Sequence, residues 1–382
     1  MIRLLSTGLL LALCCPAQIY LNNLPLDHSS IGYFDARSND RAAQLAAGNI
    51  HLEFRSDGTG YLAALLDYFG INADSQGLVF SKSSSQAGKI SPRNPRAIYF
   101  NDEVAVGYVR GSAAMEVAAV DPVRGPIFYT FAPDEAGKPA LKRGEICMHC
   151  HQGASTLGVP GIFIGSVFPN AEGMPARAGA IITDHRTAFE DRWGGWYVNA
   201  TAGEQRDRAN AVAPDPAAPE DLQKLTMKFS PTGYLSTTSD IVALITFEHQ
   251  TQMTNFITRL GWKARIGEGS IDSDLEAMVK YMLFTEEAPL REPIQGVSSF
   301  TKTFPEQGPR DAQGRSLRDF DLETRLFRYP LSYMIYSRAF DALPEPVRTR
   351  VYRRLREELG ARNRTDIIAI VRGTKKGLPD FW

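Results

Sequence analysis

RAIYFNDEVAVGYVRGSAAMEVAAVDPVRGPIFYTF, residues 96–131, holds four short runs rich in β-branched and aromatic residues: Arg96 to Phe100, Val104 to Val109, Met115 to Val120 and Ile127 to Phe131. Turn signals separate them, and Asn101-Asp102-Glu103 reads as a hairpin turn. Side chains of this kind suit a pleated, half-buried surface, so with Leu78 to Ser81 ahead of them residues 78–132 predict a small antiparallel sheet. Upstream, residues 38–70 read as helical, with Asn39 and Asp40 as caps and Leu62, Leu65, Leu66 and Phe69 at helical spacing. Downstream of Glu145 the pattern is helical or irregular. Residues 240–257 form the clearest helix, opening at an Asx/Ser cap and setting Ile241, Ile245, His249, Met253 and Phe256 on one face. Further helices are expected over 275–284, 323–340 (interrupted by Pro330), 345–359 and 366–371, with loops over 214–219 and 292–316. The expected class is α+β and predominantly helical, with a small antiparallel sheet confined to an N-terminal lobe.

The N-terminus predicts export. Arg3 precedes an apolar run from Leu4 to Cys15, and Cys15-Pro16-Ala17 offers the small residues a signal peptidase reads, which makes 1–17 a signal peptide cleaved after Ala17. The run is shorter than the roughly 20 residues that span a bilayer, so the mature chain is expected in the periplasm or otherwise exported, without a transmembrane segment. A lipid anchor on Cys14 or Cys15 is disfavoured by the bulky Leu13. Removal of the signal leaves about 365 residues, more than one compact core usually holds, and suggests lobes at 18–140 and 141–382. The composition, 43% hydrophobic and 22% charged with a formal net charge of -1, gives no support to nucleic-acid binding.

Of four cysteines, the two that survive cleavage stand in Cys147-Met148-His149-Cys150-His151. This C-x-x-C-H spacing is that of covalent c-type haem attachment. Two thiols one turn apart each form a thioether with a haem vinyl group, and the adjacent imidazole reaches the iron. Cys147 and Cys150 are thus the anchors of a single haem c and His151 the axial iron ligand, in a helical cytochrome c-like lobe. Leu157, Val159, Ile162, Phe163 and Ile164 are candidate apolar walls. Three alternatives stay open: a zinc site, which would need further ligands; a redox-active disulfide; and a structural disulfide.

The sixth iron ligand has three candidates. His185 follows the motif by 34 residues in Thr183-Asp184-His185-Arg186, His249 lies on the apolar helix face, and Met174 sits in Gly173-Met174-Pro175. The other reading of each is packing: a core histidine or a loop methionine. Asp191-Arg192-Trp193-Gly194-Gly195-Trp196-Tyr197 reads either as a haem wall, with Arg186 or Arg192 neutralising propionates and Trp193 or Trp196 near the macrocycle, or as an ordinary aromatic core. His28 and His51 read as surface residues.

The blocks SPRNPRAIYFNDEVAVGYV (91–109), CMHCHQG (147–153), TDHRTAFEDRWGGWYV (183–198), SDIVALITFEHQTQM (239–253) and RLFRYPLSYMIYSRAFDALP (325–344) resemble exported bacterial cytochrome c domain-containing proteins. The likeness spans nearly the whole mature chain and implies a mono-haem cytochrome with a large helical lobe, without naming a substrate or partner. The family pattern continues the tryptophan block with Gly-Thr-His-Gly and a later His-Met-Gly-Asn. Here Ala200-Thr201-Ala202-Gly203 and Arg206-Asp207-Arg208-Ala209-Asn210 stand instead, which removes a His and a Met and puts distal-side chemistry in doubt. Two functions follow as expectations. The first is one-electron transfer to a redox partner protein through the covalent haem, more in keeping with a carrier than with a stand-alone enzyme. The second is a haem enzyme, peroxidase-like or a dehydrogenase subunit, with an open or labile distal site where Glu248 and His249 would be acid-base candidates. A redox or gas sensor is a third, weaker class.

Overall fold

The computed structural model describes residues 22–35, 37–47, 52–133, 138–200, 205–215, 217–225 and 229–382. The signal peptide, Cys14, Cys15, His51 and residues 201–204 of the family departure lie outside them. Six strands follow one another as hairpins: β1 (Gly77–Val79), β2 (Arg96–Phe100), β3 (Val104–Val109), β4 (Met115–Asp121), β5 (Gly125–Pro133) and β6 (Pro139–Arg143). The expected turn at 101–103 is present, with Asn101 Oδ1 accepting from the Glu103 and Val104 amides. Period-two burial separates two cores. Ala97, Tyr99, Val106, Val117 and Ala119 face helix α2 (Leu62–Phe69), while Ile98, Phe100, Ala105 and Val120 face the long helix α4 (Ile241–Ile266).

A predominantly helical chain with a confined sheet is not what forms. Helix makes up 32% and strand 17%, and the main sheet has seven antiparallel strands. The seventh is β9 (Trp196–Tyr197), which pairs with β1 through Leu78↔Tyr197 and Val79↔Trp196. The chain beyond residue 140 therefore closes an open edge of the first sheet, and both cores draw residues from the two sides of that position. The cause is local. Gly194 presses its backbone against the Val167 carbonyl and Gly195 turns at φ +88°, so the tryptophan block is delivered flat onto β1. Two-residue strands carry too little periodicity to be seen in a sequence. β7 (Ile164–Ser166) and β8 (Ile181–Thr183) form a separate hairpin.

The predicted 38–70 helix is two pieces, α1 (Arg41–Ala47) and α2, separated by Gly58 and Gly60 at positive φ. The one-turn α3 (Met148–His151) carries the motif; α4, α5 (Asp272–Met282), α8 (Glu345–Ala361) and α9 (Thr365–Thr374) overlap the expected helices. Within 292–316, read as loop, α6 (Phe300–Glu306) forms. The 323–340 helix is absent. Asp321 Oδ1 accepts from the Glu323 and Thr324 amides in a competing Asx turn, and Pro330 has no N–H to continue a ladder. A short 3-10 turn at Tyr333–Tyr336 and the one-turn α7 (Arg338–Asp341) stand in its place.

Helix α4 organises the molecule. Asp240 caps it by accepting from Val242 N at 2.8 Å and, through its other oxygen, from Val297 N and Ser298 N at 2.7 Å. Ser239 Oγ accepts from Leu78 N of β1, which bolts the helix start to the sheet. Phe247 stacks on Phe100 at 4.3 Å. The opposite faces pack on α5, α6 and α7, so 22 of its 26 residues are buried. No helix among the described residues is long and apolar enough to cross a membrane.

Gly125 opens β5 at φ +78° with Thr258 of α4 only 2.5 Å from where a Cβ would sit. Gly125→Ala is expected to cost more than about 1 kcal/mol, read as a lower urea midpoint with an unchanged slope.

Candidate functional site

The motif follows β6 through a tight turn in which Gly144 N donates to Phe128 O at 2.9 Å. Met148 points inward and is buried; Cys147 is half-buried and Cys150 exposed, and both are free thiols. His149, the spacer residue, is exposed. The His151 ring lies against Phe128 at 4.3 Å and Phe163 at 5.8 Å. Its Nδ1 meets the Gly161 carbonyl at 2.9 Å, and Gly161 N donates back to His151 O at 2.9 Å. That contact assigns the proton to Nδ1 and leaves the Nε2 lone pair as the ring's ligating atom, the arrangement that orients a metal-bound histidine. Burial holds the imidazole below the usual histidine range despite the Gly161 carbonyl, so it is neutral at pH 7. Burial, with Glu116 adding to it, pushes the Cys147 thiol up. Two thiols on one helical turn beside an oriented neutral imidazole fit covalent haem attachment.

The loop that supplies the Gly161 carbonyl is held from below. Thr156 Oγ1 donates to Val159 O at 2.7 Å, Asn255 Nδ2 of α4 donates to Ile162 O at 2.9 Å, and Arg259 Nη1 donates to Leu157 O at 2.6 Å. Arg259 is itself paired with Asp274 at 2.6 Å, and Lys263 reaches the same carboxylate at 2.5 Å. Gly161 packs directly under the Asn255 amide, where any Cβ would collide. Asn255 and Arg259 carry no sequence signal as site residues, because their task is to hold a carbonyl that is remote in the chain. Of the expected wall residues, Phe163 touches His151, Leu157, Val159 and Ile164 are in the cores, and Ile162 bridges both cores.

His185, His249, Arg192 and Glu248 assemble into a second, buried cluster that shares no ring contact with His151. His185 Nδ1 and His249 Nδ1 stand 2.8 Å apart, so a single proton lies between them, one ring donating and the other accepting. His249 Nε2 meets Ser332 Oγ at 2.7 Å, while His185 Nε2 is buried with no protein partner. Tyr281 stacks on His185 at 4.0 Å and Phe284 on both rings, at 4.6 and 4.4 Å. Burial drives both imidazoles well below the usual range, Arg186 and Arg192 adding to the effect at His185. Beside them Arg192 and Glu248 form a buried ion pair at 3.0 Å. The rest of the Arg192 guanidinium donates to the Thr187 and His185 carbonyls. Desolvation outweighs Arg192 and raises the Glu248 carboxyl to about 7. Arg186 is spent on Asp184, with bonds of 3.0 and 2.7 Å.

Trp193 and Trp196 belong to the same core, with Trp196 Nε1 donating to Gly165 O at 2.9 Å. Arg192, Trp193, Trp196, His185 and His249 are therefore gathered together, and away from the motif. Met174 is 48% exposed in a turn whose Asn170 Oδ1 accepts from Met174 N. His28 lies near the surface, taking a bond from Ser30 N. The sequence marked both histidines; Ser332, Tyr281 and Phe284 were missed, being brought in from two other segments. Among the described residues no three His, Cys, Asp or Glu side chains converge into an ion cage. Thioether attachment would ask for none, since only His151 of the pentad would reach an iron.

Two predictions follow from these geometries. Asn255→Ala strands the Ile162 carbonyl and is expected to cost about 1–3 kcal/mol, read by urea unfolding. For the second cluster the sign is set by linkage. Both imidazoles titrate well below 6.5 when folded, so stability present above about pH 6.5 is lost as pH falls. Glu248, raised from 4.5 to about 7, works the other way, its contribution growing as pH falls through 7. Two imidazoles outweigh one carboxyl, so stability is expected to fall as pH drops from about 6 to 5. In Glu248→Gln that fall steepens; a flat urea midpoint over this range in both proteins contradicts the assignment.

No family model matches the chain, and no curated protein or solved structure shows significant similarity to it.

Proposed function

We propose that the chain is an exported, periplasmic mono-haem c-type cytochrome that transfers single electrons to a redox partner protein, akin to the cytochrome c domain-containing proteins it resembles. One observation carries the reading. The C-x-x-C-H pentad occupies a single helical turn with both thiols free and with His151 Nδ1 tied to Gly161 O, which directs Nε2 to a ligand. Cys147 and Cys150 would hold the haem covalently and His151 its iron. The bound haem supplies the one-electron couple. The protein's part is to keep His151 neutral, fix its ring against Phe128 and Phe163, and limit water on that side. Cys150 is exposed and Ile146, just before the motif, is 76% exposed, so a group anchored there lies within reach of a docked partner. Electron transfer to a partner protein requires that access.

A second reading, a haem enzyme with an open or labile distal position, has one observation in its favour. His185 and His249 are bonded to each other, and the ring neighbours of His151 are Phe128 and Phe163 instead.

Absorption spectra of protein exported with a c-type haem maturation system separate these. Covalent haem in the wild type, lost in the Cys147→Ala plus Cys150→Ala variant, is the expected result; wild-type protein without haem overturns the proposal. A low-spin reduced spectrum indifferent to carbon monoxide supports the carrier, and rapid carbon monoxide binding supports the enzyme.

A further inference from the structure

A cleft of about 480 Å³ opens where the end of α5 meets the start of α9, far along the chain from the motif. Its lining is of two kinds. Leu283, Phe284, Pro330 and Ile367 give it an apolar floor, and Arg325, Arg362 and Arg364 bring three guanidinium groups to its rim against one carboxylate, Glu287. Each arginine is anchored without being used up. Arg325 Nε and Nη2 donate to Glu287 at 3.1 and 2.6 Å, Arg364 Nε and Nη2 to Asp366 at 3.0 and 2.8 Å, and Arg362 Nη2 to Thr285 and Glu358 at 3.3 and 3.2 Å. Among the described residues, Nη1 of each keeps no protein acceptor. A cleft of this volume with an apolar body and a few oriented donors is what a small ligand requires, and guanidinium groups match the geometry of a carboxylate.

The floor is unusual. Phe284 adopts φ +51°, a left-handed conformation that a bulky side chain rarely takes, at the position ending α5 where glycine is the ordinary choice. The strain is retained by stacking: the ring lies on His185 and His249, and the residue also lines the cleft. Glu287, paired to Arg325 at the rim, also lines the small cavity into which His185 faces. The floor of the cleft thus touches the histidine pair through Phe284, and its rim borders the cavity that His185 faces.

We propose that this cleft binds an organic carboxylate with a flat apolar body, the carboxylate held by the free donors of Arg325, Arg362 and Arg364 and the body lying on Phe284. Occupancy is felt at the His185–His249 pair through the Phe284 ring. The proposal does not rest on haem attachment. Its test titrates the full exported chain with 2-naphthoate, its neutral analogue 2-naphthamide and inorganic phosphate, by calorimetry and by ¹⁵N spectra of labelled imidazoles. Saturable naphthoate binding is expected, at least about tenfold tighter than the amide or phosphate, and weakened by about tenfold in Arg362→Gln plus Arg364→Gln. The His185 and His249 ¹⁵N resonances shift in the wild type on binding. Thr324→Trp, which fills the cleft from an exposed position, abolishes binding with an unchanged thermal midpoint and covers the case in which the arginine pair fails to fold. No saturable naphthoate binding, equal binding of the amide or phosphate, or full affinity in the folded variants overturns the site. Binding with unmoved imidazole resonances overturns the coupling.

Discussion

A 26-residue helix buried on nearly every side constrains everything around it. In α4 the constraint is polar as much as apolar, because Glu248, His249, Gln250, Asn255, Thr258 and Arg259 are all taken out of water. Each must find a partner, and the partners define the architecture. Thr254 and Thr258 bond back to the carbonyls four residues earlier; Gln250 reaches Asn101 O in the first hairpin and takes a bond from Tyr333. Asn255 and Arg259 reach the loop behind the motif, and Glu248 and His249 reach the 183–196 segment. The helix is a shared scaffold for the sheet, the loop behind the C-x-x-C-H motif and the histidine cluster.

Those last two are chemically distinct centres on one rod. At the motif, exposure of Cys150 and the orientation of His151 suit a covalently held redox group at the surface. At the second cluster everything is internal. A buried ion pair such as Arg192–Glu248 adds little net stability, since desolvation consumes most of the attraction, yet it leaves no other arrangement satisfied. It pins the aromatic segment to α4, just ahead of the Gly194-Gly195 turn that delivers Trp196 and Tyr197 to the sheet as β9. The tryptophan block is in this view a structural strut, and the positive charge beside it is already neutralised by Glu248 and Asp184.

Much of the fold was legible where local physics governs it. Hairpins over 96–131 follow from alternating side chains and Asn101 turn chemistry, and α4 from the Asp240 cap and its length. The candidate site was legible to the extent that its chemistry is packed into five consecutive residues. Errors fall where distant groups arbitrate. The 323–340 periodicity is real, but Asp321 offered the backbone a closer acceptor and Pro330 withheld a donor. The sheet was taken to end at residue 132: β6 (Pro139–Arg143) has no β-branched or aromatic side chain, and a two-residue strand arriving 53 residues after it leaves no pattern.

By itself the sequence determined which side chains the motif brings together, since thiol, thiol and imidazole at C-x-x-C-H spacing meet on one turn of helix. It also determined the hairpin sheet and the capped central helix, whose causes lie within a few residues. Only the tertiary structure decided where His185 and His249 go. Spacing along the chain allowed either ring to approach the motif; the nitrogen-to-nitrogen bond between them, the Ser332 hydroxyl and the Tyr281 and Phe284 rings come from four separate segments, and desolvation makes their mutual satisfaction more favourable than any solitary position.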